Sequence, residues 1–167
     1  TGSPFNTPSI SQSTTFWCES NAIQSGITGY IGKPTNTGGG GYSSNDEYLV
    51  FDAYKPLTIK SVRVYATVAG NRTFQVLGED GSFIAQATVN VPVGNQRVTL
   101  NLNVPQANNM RLYVTNTLRN LYRNSSSSGV NFPYTIPNVL SIKTTSVGVA
   151  AYPYCYDWEV STPDKVC

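Results

Sequence analysis

The stretch Arg97-Val98-Thr99-Leu100-Asn101-Leu102-Asn103-Val104 alternates polar and apolar residues without a break. Val98, Leu100, Leu102 and Val104 fall on one side of an extended chain, and Arg97, Thr99, Asn101 and Asn103 on the other. That is the two-residue period of a strand with one buried face and one wet face. The signal continues outward across residues 48–114 with almost no helical period. Upstream, Leu57 and Ile59 keep odd phase while Val62, Val64 and Ala66 keep even phase. An extra residue near Lys60 and Ser61 must reset the facing, so a β-bulge or bend is expected there. Phe74 and Val76 lead into Gly78-Glu79-Asp80-Gly81-Ser82, where Asp-Gly between two strand patterns signals a hairpin. The return strand is expected to bury Phe83, Ala85, Ala87, Val89 and Val91, with a turn over 92–96. Beyond a polar loop at 105–109, Met110, Leu112 and Val114 form another half-buried strand.

The flanks extend this pattern. Residues 1–13, rich in Ser, Thr, Pro and Asn, read as a leader or linker, and 14–19 as a short aromatic strand. Residues 25–45 carry Gly26, Gly29, Gly32 and the run 38–41, and read as a long irregular connection. Residues 124–129 form a serine loop, and 138–143 and 146–151 a pair of short strands. A last strand places Tyr152, Tyr154, Tyr156, Trp158 and Val160 on one face, a stripe that suits a core, before a C-terminal linker at 161–167. Many short strands, regular turn signals and no amphipathic helix make the chain all-β. The expected fold over 14–160 is a two-sheet antiparallel sandwich, jelly-roll or immunoglobulin-like.

At 167 residues one domain can bury roughly 70% of its unfolded surface without help from a metal. Charged residues are only 12% of the chain, well below the roughly 25% usual for soluble domains, as in exported β-proteins. The net charge is +2 and the Lys and Arg residues are scattered, which argues against nucleic acid as a partner. No run of 18 apolar residues and no signal-peptide pattern occurs, so membrane insertion is not expected and the chain reads as a mature or excised piece. Cys18, Cys155 and Cys167 fit an oxidising compartment, and on residue type alone all three pairings stay open.

The absence of histidine removes the usual general base, the Ser-His-Asp triad and most zinc sites. Asp46, Glu47, Asp52, Glu79, Asp80, Asp157 and Glu159 could supply a carboxylate pair, but no spacing selects one, and an enzyme is not expected. Asp46 and Glu47, beside the glycine loop, are the candidate calcium ligands, although solvation of a strand start is the preferred role and no cofactor is expected. Asp80 reads as a turn residue. Eleven tyrosines suit recognition surfaces; Tyr30, Tyr42 and Tyr122, in or beside loops, are the candidate ligand contacts, joined by Arg123. Arg72 and Arg123 could each grip an acidic ligand or make an internal pair with Asp52 or Asp157, and the internal pair is the expected role of Arg72, Asp52 and Asp157. Asn71-Arg72-Thr73 and Asn124-Ser125-Ser126 match the glycosylation triplet.

Six blocks then stand in order: Gly39-Gly40-Gly41-Tyr42, Tyr48-Leu49-Val50-Phe51-Asp52, Ala69-Gly70-Asn71-Arg72-Thr73, Leu121-Tyr122-Arg123-Asn124, Phe132-Pro133-Tyr134 and Tyr156-Asp157-Trp158-Glu159-Val160. In order and spacing, over residues 16–160, they resemble a β-sandwich module of large surface proteins and secreted enzymes of gliding bacteria that use the type IX secretion route. The resemblance implies an extracellular or cell-surface, non-catalytic module beside adhesin segments, immunoglobulin-like repeats or hydrolase domains. It carries no ligand-binding residues over to this chain. Cys18 and Cys155 stand where that module usually has aliphatic or aromatic residues, which implies a Cys18–Cys155 disulfide between the first and last strands, with Cys167 free for a neighbour.

Two functions follow as expectations. One is adhesion or structural assembly within a large surface protein or appendage, the partners being neighbouring domains or copies of the same protein. The other is carbohydrate binding accessory to a polysaccharide-degrading enzyme, which rests on the loop tyrosines and on fold analogy.

Overall fold

A computed structural model describes residues 9, 11–13, 23–115, 118–125 and 129–166. The strand candidate at 14–19, Cys18 and Cys167 lie outside the described residues. In chain order the strands are β1 (Ile23–Gln24), β2 (Thr28–Ile31), β3 (Gly40–Ser43), β4 (Tyr48–Ala53), β5 (Leu57–Ala66), β6 (Gly70–Leu77), β7 (Phe83–Val91) and β8 (Gly94–Val104). They continue as β9 (Ala107–Thr115), β10 (Leu121–Asn124), β11 (Tyr134–Ile136), β12 (Leu140–Thr145), β13 (Tyr152–Pro153), β14 (Tyr156–Ser161) and β15 (Lys165–Val166). The chain is all-β: a six-stranded sheet in the order β11-β12-β4-β9-β6-β7 packs on a seven-stranded one in the order β13-β10-β5-β14-β2, with β3 on β10 and β8 on β5. All of these pairings are antiparallel, as expected of a β-sandwich. Regular structure extends past residue 160, because β14 runs to Ser161 and β15 pairs with β1.

The alternation read at 97–104 holds. Val98, Leu100, Leu102 and Val104 are buried and the intervening residues exposed, and Met110, Leu112 and Val114 are buried on β9. The expected bulge on β5 is present against β14, while against β8 the extra residue stands on β8. Against β8, Ile59 opposes Leu102 and Ser61 opposes Thr99, so Leu100 and Asn101 stand against Lys60 alone. Against β14, Val160 opposes Ile59 and Glu159 opposes Ser61, which leaves Lys60 as the extra residue. The hairpin also forms: Gly78 N–H donates to the Ser82 carbonyl at 2.8 Å, and Gly81 takes the left-handed φ of 84° that favours glycine. Asp80 is a turn residue whose Oδ1 accepts from Ser82 N–H at 2.9 Å.

Several expectations are corrected. On β7 only Val91 is fully buried; Ala85, Ala87 and Val89 are half-buried because β7 is the last strand of its sheet, and Phe83 is 60% exposed because a register shift at Ile84 reverses the phase, so that Ile84 packs on the core instead. The turn expected over 92–96 shortens to the gap between Val91 and Gly94. Residues 25–45 include two four-residue strands, β2 and β3. Residues 146–151 turn rather than extend, leaving Val147 and Val149 exposed. The aromatic stripe is buried, but it is broken into β13 and β14 at Tyr154, whose φ is 58°, so its rings do not share one face. Tyr154 instead sends its hydroxyl to the Asn45 carbonyl at 2.7 Å.

Candidate functional site

On the seven-stranded sheet β14 lies between β2 and β5, and β5 between β14 and β8. Side chains alternate across strands. The strand order therefore brings Tyr30 of β2, Asp157 and Glu159 of β14, Ser61 and Arg63 of β5, and Asn95 and Arg97 of β8 into one polar cluster. Arg63 and Arg97 are directly opposite in the ladder, a like-charge pairing that is unfavourable alone. Asp157 offsets it by accepting from Arg63 Nη2 at 3.3 Å and from Arg97 Nη2. Arg97 Nη1 also donates to Ser61 Oγ at 2.9 Å and to the Asp157 carbonyl at 3.0 Å. Ser61 in turn donates to Glu159 Oε2 at 2.7 Å, and Arg63 to Asn95 Oδ1 at 3.2 Å. The Arg97 guanidinium lies 5.2 Å from the centroid of the Tyr30 ring, which is 60% exposed.

The other candidate tyrosines do not extend this cluster into a platform. Tyr42 and Tyr122 are cross-strand partners on β3 and β10, on strands rather than in loops. Their rings meet edge to face at 5.3 Å with an interplanar angle of 89°, so a flat sugar face cannot rest on both. Tyr65 adds a second edge contact to Tyr122 at 6.4 Å.

The cationic candidates are held internally. Arg123 Nη1 is 2.9 Å from Oε1 of the buried Glu47, so the partner is Glu47 and not Asp52 or Asp157. Arg72 is fully buried and pairs with no aspartate. It donates to the carbonyls of Val68 at 2.7 Å and of Gly70 and Arg119 at 2.9 Å, and burial pushes its pKa downward. The physical reason is position: Arg72 points into the junction of two loop ends, where backbone acceptors and not carboxylates converge. Asp52 instead meets Lys143 Nζ at 2.8 Å and accepts from Asn109 N–H at 2.7 Å.

Arg119, which the sequence reading did not select, does similar work. It donates to the carbonyls of Val114, Ser44 and Asn45, meets Asp46 Oδ1 at 3.1 Å, and stacks on Tyr113 at 5.3 Å. Asp46 and Glu47, the candidate calcium ligands, are therefore committed to different arginines. Among the described residues no group of three or more His, Cys, Asp or Glu side chains could hold a metal ion. Arg63, Arg97 and Arg119 have no local sequence signal; their partners come from strands far away in the chain.

Cys155 is a buried free thiol whose pKa is raised by desolvation, and Cys18, its expected partner, lies outside the described residues. Of the two glycosylation triplets, the acceptor Asn71 is exposed and Asn124 is not available as an acceptor. It is fully buried, and its amide donates to the carbonyls of Asn36, Thr37 and Gly39, each at 3.2 Å. At one end of the sandwich a cleft of about 630 Å³ is lined by Leu57, Ile84, Val104, Pro105 and Pro163 among others, with no charged side chain on its walls. Among the described residues no helix is long and apolar enough to cross a membrane. No family model, curated protein or solved structure matches the chain.

Proposed function

We propose that this chain is a non-catalytic, extracellular β-sandwich module that serves structural assembly or adhesion within a larger surface protein, as its likeness to modules of gliding bacteria implies. The observation that carries the reading is the use made of its arginines. Arg72, Arg119 and Arg123 tie loop carbonyls and the buried Glu47 to the sandwich, and Arg63 and Arg97 share Asp157. Charges arranged this way fix a shape, and among the described residues these arginines are held by internal partners.

A second reading, carbohydrate binding, has one feature in its favour: the exposed Tyr30 ring beside Arg97 and Glu159. A single ring with hydrogen-bonding neighbours is a minimal sugar subsite. Titrating the purified chain against a panel of soluble glycans separates the two. The assembly reading expects no saturable binding; saturable binding that disappears in Tyr30→Ala would replace it with sugar recognition.

A further inference from the structure

A row of unpaired backbone N–H and C=O groups at a sheet edge is a template for another strand, and proteins blunt it with short strands, charges, proline or bulges. Most edges here are blunted by length: β2 and β3 have four residues, β11 three and β13 two. Two long edges remain, β7 with nine residues and β8 with eleven. The β8 edge carries Arg97 and is interrupted by the bulge at Leu100 and Asn101. The β7 edge carries no charge, and its one bulge, at Ile84, stands near the start of the strand. Its sequence, Phe83-Ile84-Ala85-Gln86-Ala87-Thr88-Val89-Asn90-Val91, contains no charge and no proline. Its ladder to β6 is regular from Ala85 opposite Val76 to Val91 opposite Gly70, and among the described residues β6 is its only strand partner. Exposed apolar side chains mark both ends, Phe83 at 60% and Val93 at 56%.

We propose that β7 docks onto β7 of a second copy of this chain, antiparallel about a two-fold axis at Ala87, so that the six-stranded sheet continues from one molecule into the next. The inference deepens the assembly reading by naming its partner. A two-fold axis perpendicular to a sheet keeps inward faces inward, and the composition of β7 suits that symmetry. Ala87 meets Ala87 at the axis and Ala85 falls opposite Val89 of the second copy, so a small residue meets a larger one along the inner face. On the outer face Gln86 falls opposite Thr88, while the bulge before Ala85 turns Ile84 towards the core and Phe83 outwards. No like charges meet, because the strand has none. Phe83 of each copy comes to lie at the Val91 and Val93 end of the other, which covers the two apolar side chains that a lone molecule leaves in water. Backbone hydrogen bonds at roughly one per residue supply the rest.

The test is sedimentation equilibrium of the whole chain from about 1 µM to about 1 mM. It is run beside Gln86→Lys/Thr88→Lys, which sets four ammonium groups around the axis on an exposed face, and Thr99→Lys/Asn103→Lys, which places the same charge on β8. The expected result is a concentration-dependent dimer that associates at least about tenfold more weakly in the β7 variant and unchanged in the β8 variant. Circular dichroism checks that both variants remain folded. Amide exchange of wild type should show β7 protected at high concentration and exposed at low. A monomer throughout the range overturns the inference, as does a dimer that the β7 variant leaves intact or that the β8 variant abolishes. Glycan binding at Tyr30 would sink the assembly reading without touching this measurement, and a monomer would sink the β7 edge without making the chain a sugar binder.

Discussion

Phe51 of β4 meets Trp158 of β14 edge to face, with ring centroids 5.4 Å apart and planes at 84°, and this contact joins the two sheets. Both rings are fully buried, and the indole N–H donates to the Cys155 carbonyl at 2.7 Å. Trp158→Phe therefore opens a cavity and also leaves that carbonyl unpaired. It should cost about 2–4 kcal/mol in urea unfolding, and Phe51→Leu about 1–2 kcal/mol. The edge-to-face geometry predicts a coupling of about 0.5–1.5 kcal/mol in the double variant. Additive losses would mean that the rings contribute only by filling space.

Arg72 offers a sharper case, because nothing negative stands beside it. Its guanidinium is fully buried and holds three carbonyls from 68, 70 and 119, and the charge is balanced only by those backbone dipoles. Arg72→Met keeps the stem and removes every donor, so the destabilisation should reach at least about 3 kcal/mol. Asp52→Asn and Asp157→Asn should not reproduce it. Thermal melts of the three variants decide whether the pairing is with carbonyls or with either aspartate.

The strand alternation, the bulge at Lys60 and the Asp80-Gly81 hairpin were legible in the sequence because each is set by neighbours within a few residues. The arginine partners were not. Arg123 finds Glu47, and Arg97 finds Asp157, across 76 and 60 residues respectively, distances over which residue type alone cannot rank acceptors. The aromatic stripe misled for a different reason. Its alternation from Tyr152 to Val160 assumed an unbroken strand, whereas the left-handed turn at Tyr154 sends that ring towards Asn45. Phe83 faces outwards because the bulge at Ile84 reverses the phase of β7, which its alternating residues do not announce. Tyr30 stands on β2 as an exposed ring, and its backing by Arg97 comes from a strand order that periodicity does not specify.

Alkaline pH should unfold the protein through buried acids. Desolvation raises the pKa of Tyr152, Tyr156 and Cys155 in the fold. In the unfolded chain tyrosine titrates near 10 and cysteine near 8.5, so the unfolded state loses these protons first. The stability they contribute is intact below about pH 8.5 and falls as pH rises beyond it. An absorbance titration should resolve some tyrosines that form phenolate only as the fold opens, and iodoacetamide should leave Cys155 unmodified until then. Ionisation of all eleven tyrosines in one step with the fold intact would contradict this placement of the rings.

The glycine run at 38–41 looks uniform in sequence, yet two adjacent members differ in what surrounds them. A Cβ on Gly40 would lie 2.1 Å from the Arg123 carbonyl oxygen and 2.9 Å from the Asn124 Cα, both backbone atoms of β10. A Cβ on Gly41 would meet nothing within 4 Å. Gly40→Ala must therefore push β3 off β10 and strain the Arg123 to Glu47 pair behind it, at about 2–3 kcal/mol or more. Gly41→Ala should change stability by less than about 1 kcal/mol, with a gain open to it from the reduced freedom of the unfolded chain. Paired melts of the two variants test the register of β3 directly: equal losses would mean that Tyr42 does not face Tyr122 and that the edge is arranged otherwise.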